Sequence, residues 1–146
     1  TFSKAMALAA LRVGYLLAAP EVAREIGKAV LPYNLNVVSQ TMAEVAVELY
    51  ETELRPLVAQ VIDARAPLFA GLREIEGLDP VASEANFMVV RSDTTPPRVV
   101  YQRLLERDIL IRDVSGYPLL GDYFRVSVGT PRENELLLSA LREVCG

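Results

Sequence analysis

The sequence predicts an α/β chain whose C-terminal half is a small α+β layer, a mainly antiparallel sheet with helices on one face. From about residue 78, strand-like and helix-like runs follow in the order strand, strand, helix, strand, strand, helix. Ahead of them, Val37, Val38, Met42, Val45 and Leu49 recur at helical spacing. Hydrophobic residues make up 51% of the 146 positions and charged residues 23%, which excludes disorder and supplies enough apolar side chains for a core.

Taken in order, Arg12–Ala18 reads as a buried strand after a run of small apolar residues. Pro20 opens a helix over Glu21–Val30 with an acidic first turn. The residues Leu31-Pro32-Tyr33-Asn34 break it, and Asn36 or Ser39 caps the next helix, which runs to about Tyr50. A further helix covers Glu53–Glu76, with Pro56 in its first turn, a bend expected at Pro67 and a stop at Gly77. Val81–Ala82 is a candidate short strand and Asn86–Arg91 a clearer one. Asp93–Pro97 is a turn, Val99–Arg107 a helix and Ile109–Arg112 a strand, followed by a Gly/Pro loop at Ser115–Gly121. Along Tyr123–Val128 the residues alternate, so Phe124, Val126 and Val128 share one face and Tyr123, Arg125 and Ser127 the other. Thr130-Pro131-Arg132-Glu133 is a capping box that starts the closing helix, which ends near Val144. There is no internal repeat or low-complexity segment.

Composition excludes several classes of function. Fifteen Lys and Arg against nineteen Asp and Glu give a net charge of −4 without a basic run, so nucleic acid is not an expected partner. The absence of histidine removes Ser-His-Asp and Cys-His catalysis and every His-based metal site, and no metal is expected. The single cysteine, Cys145, has no intrachain disulfide partner, which fits a reducing, cytoplasmic setting. Ala5–Ala19 superficially resembles a signal peptide, but Arg12 in mid-run argues against that and against a membrane span. A chain that opens on Thr inside an apolar stretch reads as a piece of a larger protein.

Two groups of residues suggest chemistry. Lys4 borders an apolar run, where partial burial would lower its pKa and make its amine a nucleophile able to form a Schiff base. Ser3 adds a hydroxyl, and Arg12, eight residues on, adds a fork suited to phosphate. Together they suit an aldehyde cofactor bearing a phosphate, pyridoxal 5'-phosphate (PLP). The same residues are compatible with a snorkelling Lys4 and an Arg12 paired with a carboxylate. Arg112 and Arg125 lie in otherwise apolar strands and could bind two anionic substrate groups, or form salt bridges with Asp113 and Asp122. Asn86, at a strand start, either orients a substrate or satisfies a turn.

Read together, TFSKAMALAALRVGY, PYNLN, SEANFMVVR, ILIRDVSGYP and FRVSVGTPRENELLLSAL resemble, in order, the C-terminal part of class II (fold type I) PLP-dependent aminotransferases, and among them the histidinol-phosphate aminotransferases. The resemblance covers the whole chain. It implies that Lys4 holds PLP and shuttles a proton, and that Ser3 and Arg12 bind the cofactor phosphate. It also implies that Arg125 binds the α-carboxylate of glutamate or 2-oxoglutarate and Arg112 the phosphate of histidinol phosphate, with Asn34 and Asn86 near the substrate. Small amino and keto acids, some phosphorylated, are then the substrates, and a homodimer the expected assembly. Met6-Ala7 and Ala9-Ala10 depart from the aromatic or glycine residues frequent in the family.

On this reading residues 1–34 are the tail of the PLP-binding domain, 35–76 connecting helices and 77–146 the small α+β domain. Most of the large domain would precede Lys4, so the chain alone is expected to be inactive. Aromatic and alanine aminotransferases, threonine-phosphate decarboxylase and a non-catalytic truncated module remain as alternatives.

Overall fold

The computed structural model describes residues 1–145 and divides the chain into two compact units, Thr1–Val58 and a second from Ala59 onward. In the first, a single 3₁₀ turn at Ala9–Leu11 precedes helices α1 (Pro20–Gly27) and α2 (Val37–Glu48). Pro20 occupies the first turn of α1, where its missing N–H costs nothing. Asn36 caps α2, its Oδ1 accepting from Ser39 N at 2.9 Å. The Ser39 side chain joins the cap by accepting from Asn36 Nδ2 at 3.0 Å. Its buried hydroxyl donates to Leu11 O at 3.0 Å and pins the 3₁₀ turn to the start of α2. A π turn at Tyr50–Leu54 leads into α3 (Arg55–Arg73), which continues through Pro67 and begins later than the predicted Glu53.

The strand predicted at Arg12–Ala18 does not form. Arg12 takes a left-handed backbone (φ 55°), and Tyr15, Leu16 and Leu17 are exposed. A strand is stabilised by its ladder partners. Here a single backbone bond, Phe2 N to Val13 O at 3.1 Å, stands in for a ladder among the described residues.

The second unit holds the core. Its sheet consists of β1 (Leu78–Pro80), β2 (Phe87–Ser92), β3 (Arg112–Asp113) and β4 (Tyr123–Ser127), in the order β1-β2-β4-β3 and antiparallel throughout. One face carries Met88, Val90, Phe124 and Val126, all at 1% exposure or less. It packs against Leu68 and Leu72 of α3, Val100 and Leu104 of α4 (Pro97–Leu105), and Leu137, Leu141 and Val144 of α5 (Pro131–Cys145). The predicted layer of antiparallel strands with helices on one side is therefore the observed one.

Two strands shift relative to the sequence reading. β1 lies at Leu78–Pro80 instead of Val81–Ala82, because Leu78 and Pro80 are the pair that reaches the core face in register with Ser92 and Val90. β3 begins only at Arg112, because Ile109 is drawn back to the end of α4. Asp108 adopts φ 58°, and Ile109 N donates to Leu104 O at 3.0 Å while Asp108 N donates to Leu105 O at 3.0 Å, a Schellman closure with Asp in the usual glycine position. α3 ends at Arg73, short of the expected Glu76, and Gly77 at φ 78° instead turns the chain into β1, where a Cβ would fall 2.6 Å from Thr94 Oγ1.

Candidate active site

In the first unit, the Phe2–Val13 backbone bond closes a loop and sets Ser3 and Lys4 on one arm against Arg12 on the other. Thr1 braces that closure: its Oγ1 accepts from Ser3 N at 3.2 Å and contacts Ser3 Oγ at 2.9 Å. Inside the loop, Ala7 N donates to Lys4 O at 2.9 Å, and Ala7, like Arg12, is left-handed at φ 55°. Lys4 is exposed, contrary to the partial burial expected from its apolar neighbours, because the residues after it turn away instead of covering it. Among the described residues its amine has no ion-pair partner. Arg12 folds back on the 3₁₀ turn, with Nη1 donating to Ala9 O at 2.7 Å, and pairs with no described carboxylate. The result is an amine, a hydroxyl and a guanidinium around one strained loop.

The sheet face away from the core carries Phe87, Val89 and Arg91 of β2, Tyr123 and Arg125 of β4, and Arg112 of β3. The register sets Arg112 directly opposite Arg125, with Val89 completing the row. Like charges directly opposite across a ladder repel. The predicted counter-ions do not relieve this pair. Asp113 Oδ1 is occupied by Ser115, accepting from its backbone N at 2.9 Å and its hydroxyl at 2.6 Å, and these bonds hold the carboxyl below its ordinary pKa. Neither Asp113 nor Asp122 forms an ion pair with Arg112 or Arg125 among the described residues. Arg91, the third arginine of the face, is neutralised by Asp79 at 3.3 Å and Asp93 at 3.4 Å. Arg125 lies with its guanidinium carbon 4.9 Å from the centre of the Phe87 ring, and its Nε is enclosed without a hydrogen-bond partner.

The other predicted residues are placed more plainly. Asn34 is exposed in the turn closed by its own N–H donating to Leu31 O at 3.3 Å. Asn86 is exposed, not buried, since it lies just before β2; its carbonyl accepts from Val128 N at 2.9 Å and so extends the β2–β4 pairing. Burial pushes the Cys145 thiol up, which suits a core residue and not a nucleophile. Among the described residues no cluster of three or more Asp, Glu or Cys could hold a metal ion. Two further residues escaped the sequence reading, Phe87 on the arginine-bearing face and Asn134 on α5, the helix packed on the opposite face. Phe87 was visible as a strand residue, but its place under Arg125 depends on the cross-strand register. Asn134, buried on α5, clamps the backbone of Gly129 with its amide, accepting from the N–H at 2.9 Å and donating to the carbonyl at 3.1 Å.

Residues 1–141 match the family described as "Aminotransferase class I and II". The chain belongs to the class I and II aminotransferases. Among relatives, this aminotransferase chain is 42% identical over 147 aligned positions to histidinol-phosphate aminotransferase 1 of Carboxydothermus hydrogenoformans, covering 99% of itself and 40% of that protein. Among solved structures, it superposes with a TM-score of 0.81 at 29% identity on histidinol-phosphate aminotransferase from Sinorhizobium meliloti in complex with pyridoxal-5'-phosphate, covering 99% of itself and 39% of that chain. L-threonine-O-3-phosphate decarboxylase from Porphyromonas gingivalis shares the fold at a TM-score of 0.81 and 22% identity, with coverage of 98% and 44%. The aminotransferase chain thus spans about 40% of the length of the curated relatives it matches. No helix among the described residues is long and apolar enough to cross a membrane.

Proposed function

We propose that the chain is the C-terminal part of a PLP-dependent aminotransferase acting on histidinol phosphate, with 2-oxoglutarate as amino acceptor and imidazole-acetol phosphate and glutamate as products. The observation that carries this reading is the cross-strand Arg112–Arg125 pair, two cations held face to face without a protein counter-ion. Such a pair calls for anionic ligands, and the substrates named supply a carboxylate and a phosphate.

The donor set of the first unit fits PLP. An aldehyde asks for an unengaged amine, which Lys4 presents. A phosphate asks for hydroxyl and guanidinium donors, which Ser3 and Arg12 present on the two arms of the same loop. When bound, PLP supplies an electron sink that labilises bonds to the substrate α-carbon. Lys4 would then hold the cofactor and afterwards carry a proton as general base and acid, a role that a chain without histidine must give to another side chain. Arg125 would bind the α-carboxylate of glutamate or 2-oxoglutarate, Arg112 the phosphate of histidinol phosphate, and Asn34 and Asn86 would line the substrate region. Residues 1–34 serve in this reading as the tail of the cofactor domain, 35–76 as connecting helices and 77–146 as the small domain. The enzyme works as a cytoplasmic homodimer on small amino and keto acids.

The test uses the full-length protein reconstituted with PLP. Borohydride reduction is expected to fix a pyridoxyl group on Lys4, read by peptide mass spectrometry. Histidinol phosphate is expected to be converted with stoichiometric formation of glutamate. Release of carbon dioxide from a phosphorylated amino acid would assign the decarboxylase reading instead, preference for an aromatic amino acid or alanine would move the substrate assignment, and failure to bind PLP would leave a non-catalytic module.

A further inference from the structure

We infer that Phe87 is a positioning residue, whose ring sets the angle at which Arg125 meets its anion; this rests on the reading of Arg125 as the carboxylate-binding residue. Phe87 lies one pleat along β2 from Val89, the residue directly opposite Arg125, so it meets Arg125 on the diagonal of the ladder. The guanidinium carbon is 4.9 Å from the ring centroid, within cation–π range. Nε, enclosed and unpartnered, has no hydrogen bond to orient it. No ion pair among the described residues fixes the guanidinium either, although Arg91 on the same face is held by two carboxylates. The aromatic face is therefore the contact that restrains the fork. It does so without consuming a donor, whereas a protein carboxylate in its place would compete with the ligand for the same nitrogens. It also offsets part of the repulsion from Arg112 opposite.

The experiment measures glutarate, a dicarboxylate without a reactive amine, by calorimetry on the full-length protein loaded with PLP. Phe87→Leu and a ring-fluorinated phenylalanine at position 87 are each expected to weaken glutarate about three- to tenfold, while Phe87→Tyr stays near the unaltered protein. The KM for 2-oxoglutarate is expected to rise in the same proportion with kcat little changed. The fluorinated residue keeps the shape of Phe87, so its effect reads the ring's electrons alone even if Phe87→Leu perturbs folding. Unaltered glutarate affinity in the fluorinated variant, alongside a clear loss in Arg125→Gln, would overturn the role of Phe87 and leave that of Arg125 standing. Unaltered affinity in Arg125→Gln would overturn both.

Discussion

Arg112 is exposed at the edge of the sheet, whereas Arg125 lies one strand further in with its Nε enclosed, and this difference sets what each is expected to do. The planar fork of Arg125 matches a carboxylate with two parallel bonds that lysine cannot reproduce. Arg125→Lys in the full-length enzyme is expected to impair both half-reactions, because on the proposed reading carboxylate and phosphate arrive at neighbouring positions; removing one partner of a desolvated pair of this kind costs about 2–5 kcal/mol. On the proposed reading Arg112 meets only the outer anion, so Arg112→Ala is expected to weaken the phosphorylated substrate far more than glutamate. Single-turnover rates for each half-reaction separate the two, and equal losses in Arg112→Ala would defeat the phosphate assignment. Lys4→Ala is expected to abolish turnover and still allow PLP to be titrated by fluorescence, since Ser3 and Arg12 remain.

Among the elements, α5 shows most directly how local sequence becomes local structure. Thr130 and Glu133 form the capping box reciprocally: Thr130 N donates to Glu133 Oε2 at 2.7 Å, and Glu133 N donates to Thr130 Oγ1 at 3.3 Å. The bonds from the Thr130 N–H and hydroxyl hold the Glu133 carboxyl below its ordinary range, as Ser115 does for Asp113. A carboxyl lowered in the folded state contributes stability that is present above its unfolded pKa and lost as pH falls through the folded value. Thermal unfolding of the full-length protein is therefore expected to move to lower temperature as pH falls below about 4. Glu133→Gln is expected to make that decline shallower, and an unchanged pH profile would show that the cap plays no part in it. At α2, Asn36→Ala removes the acceptor for Ser39 N and is expected to cost about 1 kcal/mol, measured by denaturant unfolding.

For the molecule as a whole, the two units differ in what they bury. The second encloses Leu72, Val90, Leu104, Phe124 and Leu141 completely, and Leu141→Ala is expected to cost about 2–5 kcal/mol in denaturant unfolding. In the first, the buried hydrophobics described are Phe2, Val13 and Ala46, while Leu17 at 85%, Leu31 at 74% and Val37 at 74% remain exposed. That much apolar surface does not stay bare in water. The 146-residue chain produced alone is expected to associate and to show no transamination; a monodisperse monomer in light scattering, or turnover of histidinol phosphate by that chain, would contradict the respective expectation. The sequence by itself determined the proline starts of α1 and α5, the Thr130–Glu133 cap, the alternation that turns Arg125 away from the core, and the motifs that mark the family, because each depends on residues close together in the chain. Only the tertiary structure decided that Arg12–Ala18 finds no ladder, that Ile109 is taken by the end of α4, and that Asp113 spends its carboxylate on Ser115 and not on an arginine. It also decided that Arg112, Arg125 and Phe87 meet on one face. Those outcomes depend on cross-strand register and on competition for hydrogen-bond partners, which are settled between elements distant in sequence and not within any one of them.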